Sequence, residues 1–269
     1  MQSGFYQAAG AMVTQFNILN TTTNNLANIN TTGYKKDSLV IGNFERIFQR
    51  ERDELPLANS TDEAAKFFNR SLNKIPRVVE KNIDFSSTNM RPTGNKLDIG
   101  LKNGDSFFAV QTPNGVKLTS QSVFTLDKSG TIVTKEGYKL LPHNFIESEN
   151  DSIIVPKNSN LTISNSGIVS ANGKEIGQIF IGKVKNLNEL AKVGDSLFDM
   201  PNMQDRLVKL EGDDLVRQGY ANMSNVNAVK EMVSLIDSNR MVEIYQKVMT
   251  THMTDLNSDA INKLASVRA

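Results

Sequence analysis

The chain is poor in the residues on which most protein chemistry depends. Its 269 residues include no cysteine and no tryptophan, and only two histidines, His143 and His252. Without cysteine, disulfides and thiolate metal sites are excluded. Neither histidine has an acidic companion at metal-ligand spacing, so we expect no metal site and no cofactor.

An excess of charge and long apolar runs are missing as well. The chain has 30 Lys and Arg against 29 Asp and Glu, a formal net charge of +1. No basic cluster is interleaved with aromatics, so we expect no nucleic-acid partner. No stretch approaches the roughly 20 apolar residues that span a bilayer, so we expect no membrane insertion. Residues 1–6 lack the features of a cleavable secretory signal.

Catalytic motifs are also absent. The spacing gives no nucleophile elbow, no phosphate-binding glycine loop and no Ser/His/Asp set. The acidic turns at residues 127–130 and 213–214 lack the alternating oxygen ligands of a calcium loop. We therefore expect a structural protein and no enzyme.

The N-terminal segment has helical periodicity over residues 3–28. Large apolar residues recur every seven positions, as in a coiled-coil seam. They are Phe5, Met12, Leu19 and Leu26. A run of turn-forming residues follows Asn28, and Gly33 permits a positive φ.

The C-terminal segment returns to helical spacing over residues 227–265, a helix of about 60 Å at 1.5 Å per residue. One narrow stripe carries Val242, Met249, Met253, Leu256 and Leu264, flanked by Tyr245. Upstream, Val229, Met232, Val233 and Ile236 make the helix apolar on more than one side. Because such a helix must be surrounded, we expect neighbours from other copies of the chain. Packing onto the protein's own core is the alternative.

Between the helices the sequence predicts antiparallel β-structure. Turn signals such as Asn114-Gly115, Glu136-Gly137 and Asn172-Gly173 recur about every ten residues. Short β-branched and aromatic runs lie between them, at residues 106–111, 123–126, 131–134 and 178–181. This pattern favours a sandwich or a barrel-like domain.

The predicted fold is mainly β with long terminal α-helices, which form a coiled-coil-like stalk beside a central antiparallel β-domain. The predicted divisions are an N-terminal helix with its Asn-rich motif (1–35), a linker with a possible short helix at 61–71 (36–75), the β-domain (76–215) and the C-terminal helix (216–269).

Residues 25–35 read NLANINTTGYK, and residues 218–220 and 224–229 read QGY and SNVNAV. These two terminal motifs resemble those of bacterial flagellar rod and hook proteins. A weaker match runs from residue 97 to residue 137. The family usually has glycine where this chain has Ser106, and an aromatic-Thr-Arg-x-Gly run where it has residues 118–123. We expect these departures on the surface of the β-domain. Both the distal-rod (FlgG) and the proximal-rod (FlgF) types remain open.

The resemblance implies a subunit of the basal-body rod, which polymerises into a helical tube and transmits torque from motor to hook. It implies contacts with other copies, other rod and hook proteins, the flagellar export apparatus and ring proteins. It also implies export without a cleaved signal and a location in the rod, which spans the periplasm.

The expected assembly interface consists of the heptad residues of the first helix and the stripe residues of the second, including Tyr245. We expect Asn25, Asn28, Asn225 and Asn227 to satisfy backbone groups where the chain leaves and enters its helices, and Gly33 to provide a bend. Two alternatives are a secreted adhesin or glycan-binding module with coiled-coil ends, and a cell-wall enzyme. An enzyme of that kind needs paired carboxylates in a cleft, and nothing in the sequence identifies such a pair.

Overall fold

A computed structural model describes residues 2–43, 76–145, 152–201 and 206–266. The chain divides into two compact units. The helical unit comprises Met1–Ala27, Asp37–Asn82 and Asn227–Ala269, and the β unit comprises Asn28–Lys36 and Ile83–Val226. The short helix predicted at residues 61–71 lies outside the described residues.

The helical unit contains two long helices and two strands. Helix α1 spans Gln2–Ala27 and helix α2 spans Ala228–Ser266, within one residue of the predicted bounds. Strands β1 (Asp37–Asn43) and β2 (Pro76–Ile83) pair with each other. The helices are antiparallel, because Thr22 contacts Ser234 while the later Asn25 contacts the earlier Glu231.

The β unit consists of short strands joined by tight turns. They are β3 Met90–Pro92, β4 Ile99–Leu101, β5 Ser106–Thr112, β6 Gly115–Thr119, β7 Phe124–Leu126, β8 Ile132–Thr134, β9 Lys139–Leu140, β10 Leu161–Ile163, β11 Ile168–Ala171, β12 Lys174–Gln178, β13 Ile181–Val184, β14 Ala191–Gly194, β15 Leu197–Asp199, β16 Leu207–Lys209, β17 Val216–Gln218 and β18 Tyr220–Asn222. A short 3₁₀ helix, Leu187–Glu189, precedes β14.

The main sheet has nine strands and is antiparallel at each pairing. Its order is β14-β15-β6-β5-β9-β8-β7, and β13 pairs with both β5 and β16. A three-stranded sheet, β10-β11-β12, and the pairs β17-β4 and β18-β3 complete the unit. The predicted mainly β fold with terminal helices and a central antiparallel sheet domain is therefore confirmed.

Asn-Gly turns make the tight connections that the sequence predicts. Asn172 and Gly173 have φ of 52° and 81° between the paired residues Ala171 and Lys174. Two successive positive φ values are typical of a type I′ hairpin turn, which Asn and Gly accept at least cost. The run 178–181, predicted as one strand, is divided: β12 ends at Gln178 and β13 begins at Ile181.

Strand β5 lies at the centre of the fold and is buried on both faces. Phe107 and Ala109 point to one apolar cluster, which also contains Phe180 and Phe198. Phe108 and Val110 alternate with them and point to a second cluster, which contains Phe124, Ile132 and Leu140. Phe108 and Phe124 pack edge to face with ring centroids 5.4 Å apart. Burial on alternating faces explains why residues 107–110 are apolar without interruption.

Candidate assembly surface

The two Asn-rich motifs meet within the β unit, although almost 190 residues of sequence separate them. The Gly33 N–H donates to the Asn222 carbonyl at 3.0 Å, and the Asn225 N–H donates to the Tyr34 carbonyl at 3.4 Å. The Lys36 N–H donates to Asn225 Oδ1 at 2.7 Å. We call Gly33, Tyr34, Lys36, Asn222 and Asn225 the motif junction.

Asn225 also binds the chain that leads out of β2. Its Nδ2 donates to the Asp84 carbonyl at 2.7 Å and to Ser86 Oγ at 3.2 Å. The Asp84 N–H donates to the Lys36 carbonyl at 2.8 Å. One amide side chain therefore joins three segments that are distant in sequence.

Gly33 sits where a side chain has no room. Its φ is +70°, and a Cβ there would lie 2.1 Å from the Ser120 carbonyl oxygen. The Ser120 hydroxyl donates to the Gly33 carbonyl at 2.5 Å. Both the backbone conformation and the close approach therefore require glycine.

Ser120 and Ser122 show that one expectation was wrong. Ser106 and residues 119–122 are buried, although we expected these departures from the family pattern on the surface. Ser122 Oγ accepts the Asn222 N–H at 2.7 Å. Because small hydroxyl side chains fill these places, they can bond directly to the backbone of the motif junction.

Asn222 is a residue that sequence reasoning missed. Its Oδ1 accepts the Leu101 N–H at 2.7 Å, and its Nδ2 donates to the Leu101 carbonyl at 2.8 Å and to Thr88 Oγ1 at 3.1 Å. This buried amide continues the hydrogen bonding of a strand edge. Its position between the two matched pieces of the C-terminal motif was the available signal.

Lys35 is a second missed residue, and it is buried within the first motif. Only 2% of its surface is exposed, and Nζ donates to the Ser86 carbonyl at 3.0 Å. Burial lowers the pKa of Lys35 from 10.5 to about 8, and the negative charges of Asp84 and Asp105 oppose that shift. Lys192 Nζ lies 4.2 Å from the centre of the Tyr34 ring and donates to the Lys35 carbonyl.

In the helical unit, Asn25 binds β1 as a backbone group would. Its Oδ1 accepts the Asp37 N–H at 3.0 Å, and its Nδ2 donates to the Asp37 carbonyl at 2.8 Å. The same Nδ2 lies 3.3 Å from Glu231 Oε2 on α2. Asn25 therefore joins α1, β1 and α2.

The other two asparagines have local partners. Asn227 Oδ1 accepts the Lys230 N–H at 3.1 Å, which caps the start of α2. Asn28 Oδ1 accepts the Thr31 hydroxyl at 3.2 Å, just after α1 ends.

Apart from Val242, the most buried positions of the two helices carry small or polar side chains. They are Ala8, Ala11, Thr14, Thr22 and Asn25 on α1, and Glu231, Ser238 and Val242 on α2. The predicted seam residues Phe5, Met12, Leu19, Leu26, Tyr245 and Met249 are half-buried, and Met253 is exposed. The side chains of Leu256 and Leu264 lie outside the described residues. The seam of this single chain therefore runs beside the predicted heptad of α1, and the role of these residues in assembly stays a prediction.

The opposite face of α2 exposes large apolar side chains. Val229 is 66% exposed and Ile236 is 55% exposed, and Met232, Val233 and Ile244 share this face. On α1, Val13 and Phe16 are exposed. We call these two groups the outer faces of α2 and α1.

The described residues show neither a metal-binding cluster nor a membrane-spanning helix. They contain no group of three or more His, Cys, Asp or Glu placed to hold a metal ion. Within the same ranges, no helix has the length and apolar character needed to cross a membrane.

Comparisons with known proteins match both ends and the middle of the chain. Residues 5–35 match the family "Flagella basal body rod protein", residues 103–171 match "Flagellar hook protein FlgE/F/G D1 domain", and residues 217–262 match "Flagellar basal body rod FlgEFG protein C-terminal".

Relatives that match most of the length of the chain belong to the same kind of protein. The flagellar basal-body rod protein FlgG of Buchnera aphidicola subsp. Schizaphis graminum is 31% identical over 245 residues, covering 87% of this chain and 89% of the relative. This chain belongs to the flagellar basal-body rod protein family. FlgG of Borreliella burgdorferi is 29% identical, covering 93% and 95%, and FlgF of Caulobacter vibrioides is 26% identical, covering 99% and 100%.

As a rod protein of FlgG/FlgF type, the chain is a structural subunit of the flagellar basal body. Its matched terminal segments contain most of α1, most of α2 and all of the motif junction except Lys36. The adhesin alternative receives no support from these comparisons.

Proposed function

We propose that the chain polymerises through its terminal helices into the helical tube of the distal or proximal rod, which carries torque from the motor to the hook. In this proposal the helix pair, in the predicted segments 1–35 and 216–269, forms a coiled-coil-like stalk in the axial layers. The predicted β-domain, 76–215, is the other part of the subunit. The interface includes the predicted seam residues and the outer faces.

The observation that carries the proposal is the outer face of α2. A folded helix of a monomer normally turns its large apolar residues inward, but α2 buries Glu231 and Ser238 against α1 and exposes Val229, Val233 and Ile236. Burying five such side chains would contribute on the order of 10 kcal/mol before ordering costs. That gain is large enough to drive association.

Two different outer faces suit an open filament. A head-to-tail contact requires two unlike patches on each subunit, and it generates a helix when the rotation does not close. Val13 and Phe16 on α1 supply a second patch, which differs from that of α2. The same unit can therefore be bound by one neighbour and bind another.

The remaining parts of the proposal follow from family membership. Partners would be other rod and hook proteins, the flagellar export apparatus and the ring proteins around the rod. The subunit would be exported without a cleaved signal, dock at the growing tip and occupy the section of the rod within the periplasm.

The experiment places two charges on the outer face of α2 in the full chain. We expect V233D/I236D to abolish self-association, because each carboxylate would be desolvated in the interface. The control, N239D/Q246D, adds the same charge at exposed polar positions of the same helix and should assemble as the unchanged chain does. Sedimentation and electron microscopy report assembly, and swimming of a complemented deletion strain reports function. Equal assembly of both variants would refute the proposal.

A further inference from the structure

A cluster of polar and charged groups lies at one end of the otherwise small-residue helix seam. Asn25 and Glu231 are 1% and 4% exposed, and Asp37 is also buried. Asn25 bonds to both backbone groups of Asp37 and approaches Glu231 Oε2 at 3.3 Å. Lys81 Nζ on β2 lies 3.1 Å from Asp37 Oδ2. We call Asn25, Asp37, Lys81 and Glu231 the polar cluster.

The rest of the seam defines the register of the two helices weakly. Displacing α2 by one turn, four residues, would bring Ser238 to Thr22 in place of Ser234. It would also bring Met249 to the position of Tyr245 and Met253 to that of Met249. The exchange of Ser234 for Ser238, and of Met249 for Met253, leaves the packed volume unchanged. At two other buried positions the slip would place Val242 on the site of Ser238 and Gln246 on the site of Val242. Packing therefore opposes a one-turn slip only locally, and packed helices can make a displacement of this size.

The polar cluster does not allow this slip. After it, Leu235 would face Asn25, and Glu231 would move past the end of α1. Asn25 Nδ2 would then lose Glu231 Oε2 as its partner on α2. Buried polar groups that are paired in one arrangement alone select that arrangement, as a single asparagine does in coiled coils.

We propose that the polar cluster sets the register of α2 on α1 and β1, with Asn25 and Glu231 as positioning residues. Asp37 anchors Asn25 to β1. The position of the Asn25 side chain, against which α2 is aligned, is therefore fixed by a strand as well as by α1. Register in turn determines which residues of α2 form its outer face. That last consequence for assembly rests on the proposed function.

Absence of native cysteine makes the register directly measurable. The Thr22 and Ser234 hydroxyl oxygens are 3.4 Å apart, so a T22C/S234C pair reports the native register. A T22C/S238C pair reports the one-turn slip, since a disulfide needs Cα atoms within about 7 Å. Each pair is placed in the full chain, oxidised mildly at a dilution at which the chain is monomeric, and quantified by gel mobility.

The decisive variants change the cluster. E231L removes the preference of the cluster between the two registers, because after the slip Leu235 takes the place of another leucine, and N25D sets a second carboxylate against Glu231. We expect each to raise the T22C/S238C cross-link at least tenfold and to lower the T22C/S234C cross-link by about half. E231Q keeps an acceptor oxygen for Asn25, so it should keep the native register. V242A weakens the same seam without touching the cluster, so it measures how much slip the loss of packing alone produces, and it should stay mostly in the native register.

The proposal is overturned if neither E231L nor N25D exceeds V242A in the slip cross-link. It is also overturned if both variants lose their helical circular dichroism, because the cluster would then hold the pair together and not choose its register. These readings use monomers. If the unchanged chain never self-associates while the register shifts as expected, the proposed polymerisation fails and this inference stands.

Discussion

The two units differ in the size and polarity of the side chains that they bury. In the β unit, large apolar residues such as Phe107, Phe108 and Phe180 are fully buried. In the helical unit, the buried apolar residues among those described are Ala8, Ala11 and Val242, while Val229, Ile236 and Ile244 are exposed. The same kind of apolar residue is therefore used for folding in one unit and remains available for association in the other.

Because of this difference, the residues that stabilise the β unit are not the residues that the proposed assembly uses. Burial of a large apolar side chain stabilises a fold by about 1.5–3 kcal/mol, so the β unit obtains its stability from its own residues. The helical unit exposes large apolar groups on its outer faces, and its helices carry small buried residues, half-buried apolar residues and the polar cluster. In the proposed assembly, a subunit built in this way can be folded and still expose an apolar surface that binds other subunits.

The largest expected effect concerns the motif junction, which belongs to the β unit. Gly33→Ala should lower the free energy of unfolding of that unit by about 5 kcal/mol, because its Cβ would strike the Ser120 carbonyl. Gly94→Ala is the control: Gly94 has a similar φ, +73°, but no atom within 4 Å of the added Cβ, so about 1–2 kcal/mol is expected. Urea unfolding followed by tyrosine fluorescence measures both. Equal losses would show that steric contact at Gly33 is unimportant.

A pair of truncations compares the units directly. Phe108→Ala, in the centre of the β unit, should cost about 3–5 kcal/mol, whereas Met12→Ala, on the half-buried flank of α1, should cost about 1 kcal/mol. Hydrogen exchange read by mass spectrometry assigns each loss to its own unit. A larger loss for Met12→Ala would contradict the division of roles.

The pH dependence of the β unit provides a third test. Burial lowers the pKa of Lys35 from 10.5 to about 8, so between these values the unfolded chain holds a proton that the folded chain has released. The free energy of unfolding should therefore rise with pH across this window, by on the order of 3 kcal/mol. Lys35→Met removes the titrating group. The difference between the two chains, followed by urea unfolding from pH 7.5 to 10.5, isolates Lys35, and parallel curves would contradict the assignment.

The smallest effect is expected at the outer face of α2. V233D/I236D should change the free energy of unfolding of the monomer by no more than about 0.5 kcal/mol, because both side chains are exposed there. Thermal unfolding of dilute protein measures it. A loss of several kcal/mol would mean that this face already packs within the single chain, and the comparison between the units would fail.

Much of the fold was predictable because its signals are local. Helical periodicity gave α1 and α2 within one residue, and pairs such as Asn172-Gly173 marked turns whose positive φ those residues accept. The candidate site was predictable only in part. Asn25, Gly33 and Asn225 were identified from the motifs, but their partners Asp37, Ser120 and Lys36 were not, since each bond joins segments whose approach no local pattern encodes. The burial of Ser106 and residues 119–122 was predicted wrongly for the same reason.

By itself, the sequence determined the terminal helices, the antiparallel β region between them, the lack of thiol chemistry and the resemblance to rod proteins. These properties depend on residue type and on short-range spacing. The tertiary structure alone decided which face of each helix is buried, that Asn25 bonds to Asp37 and Glu231, and that the two Asn-rich motifs share one set of hydrogen bonds. Those outcomes depend on contacts between residues far apart in the chain, where close packing and the pairing of buried polar groups select one arrangement among several that periodicity permits.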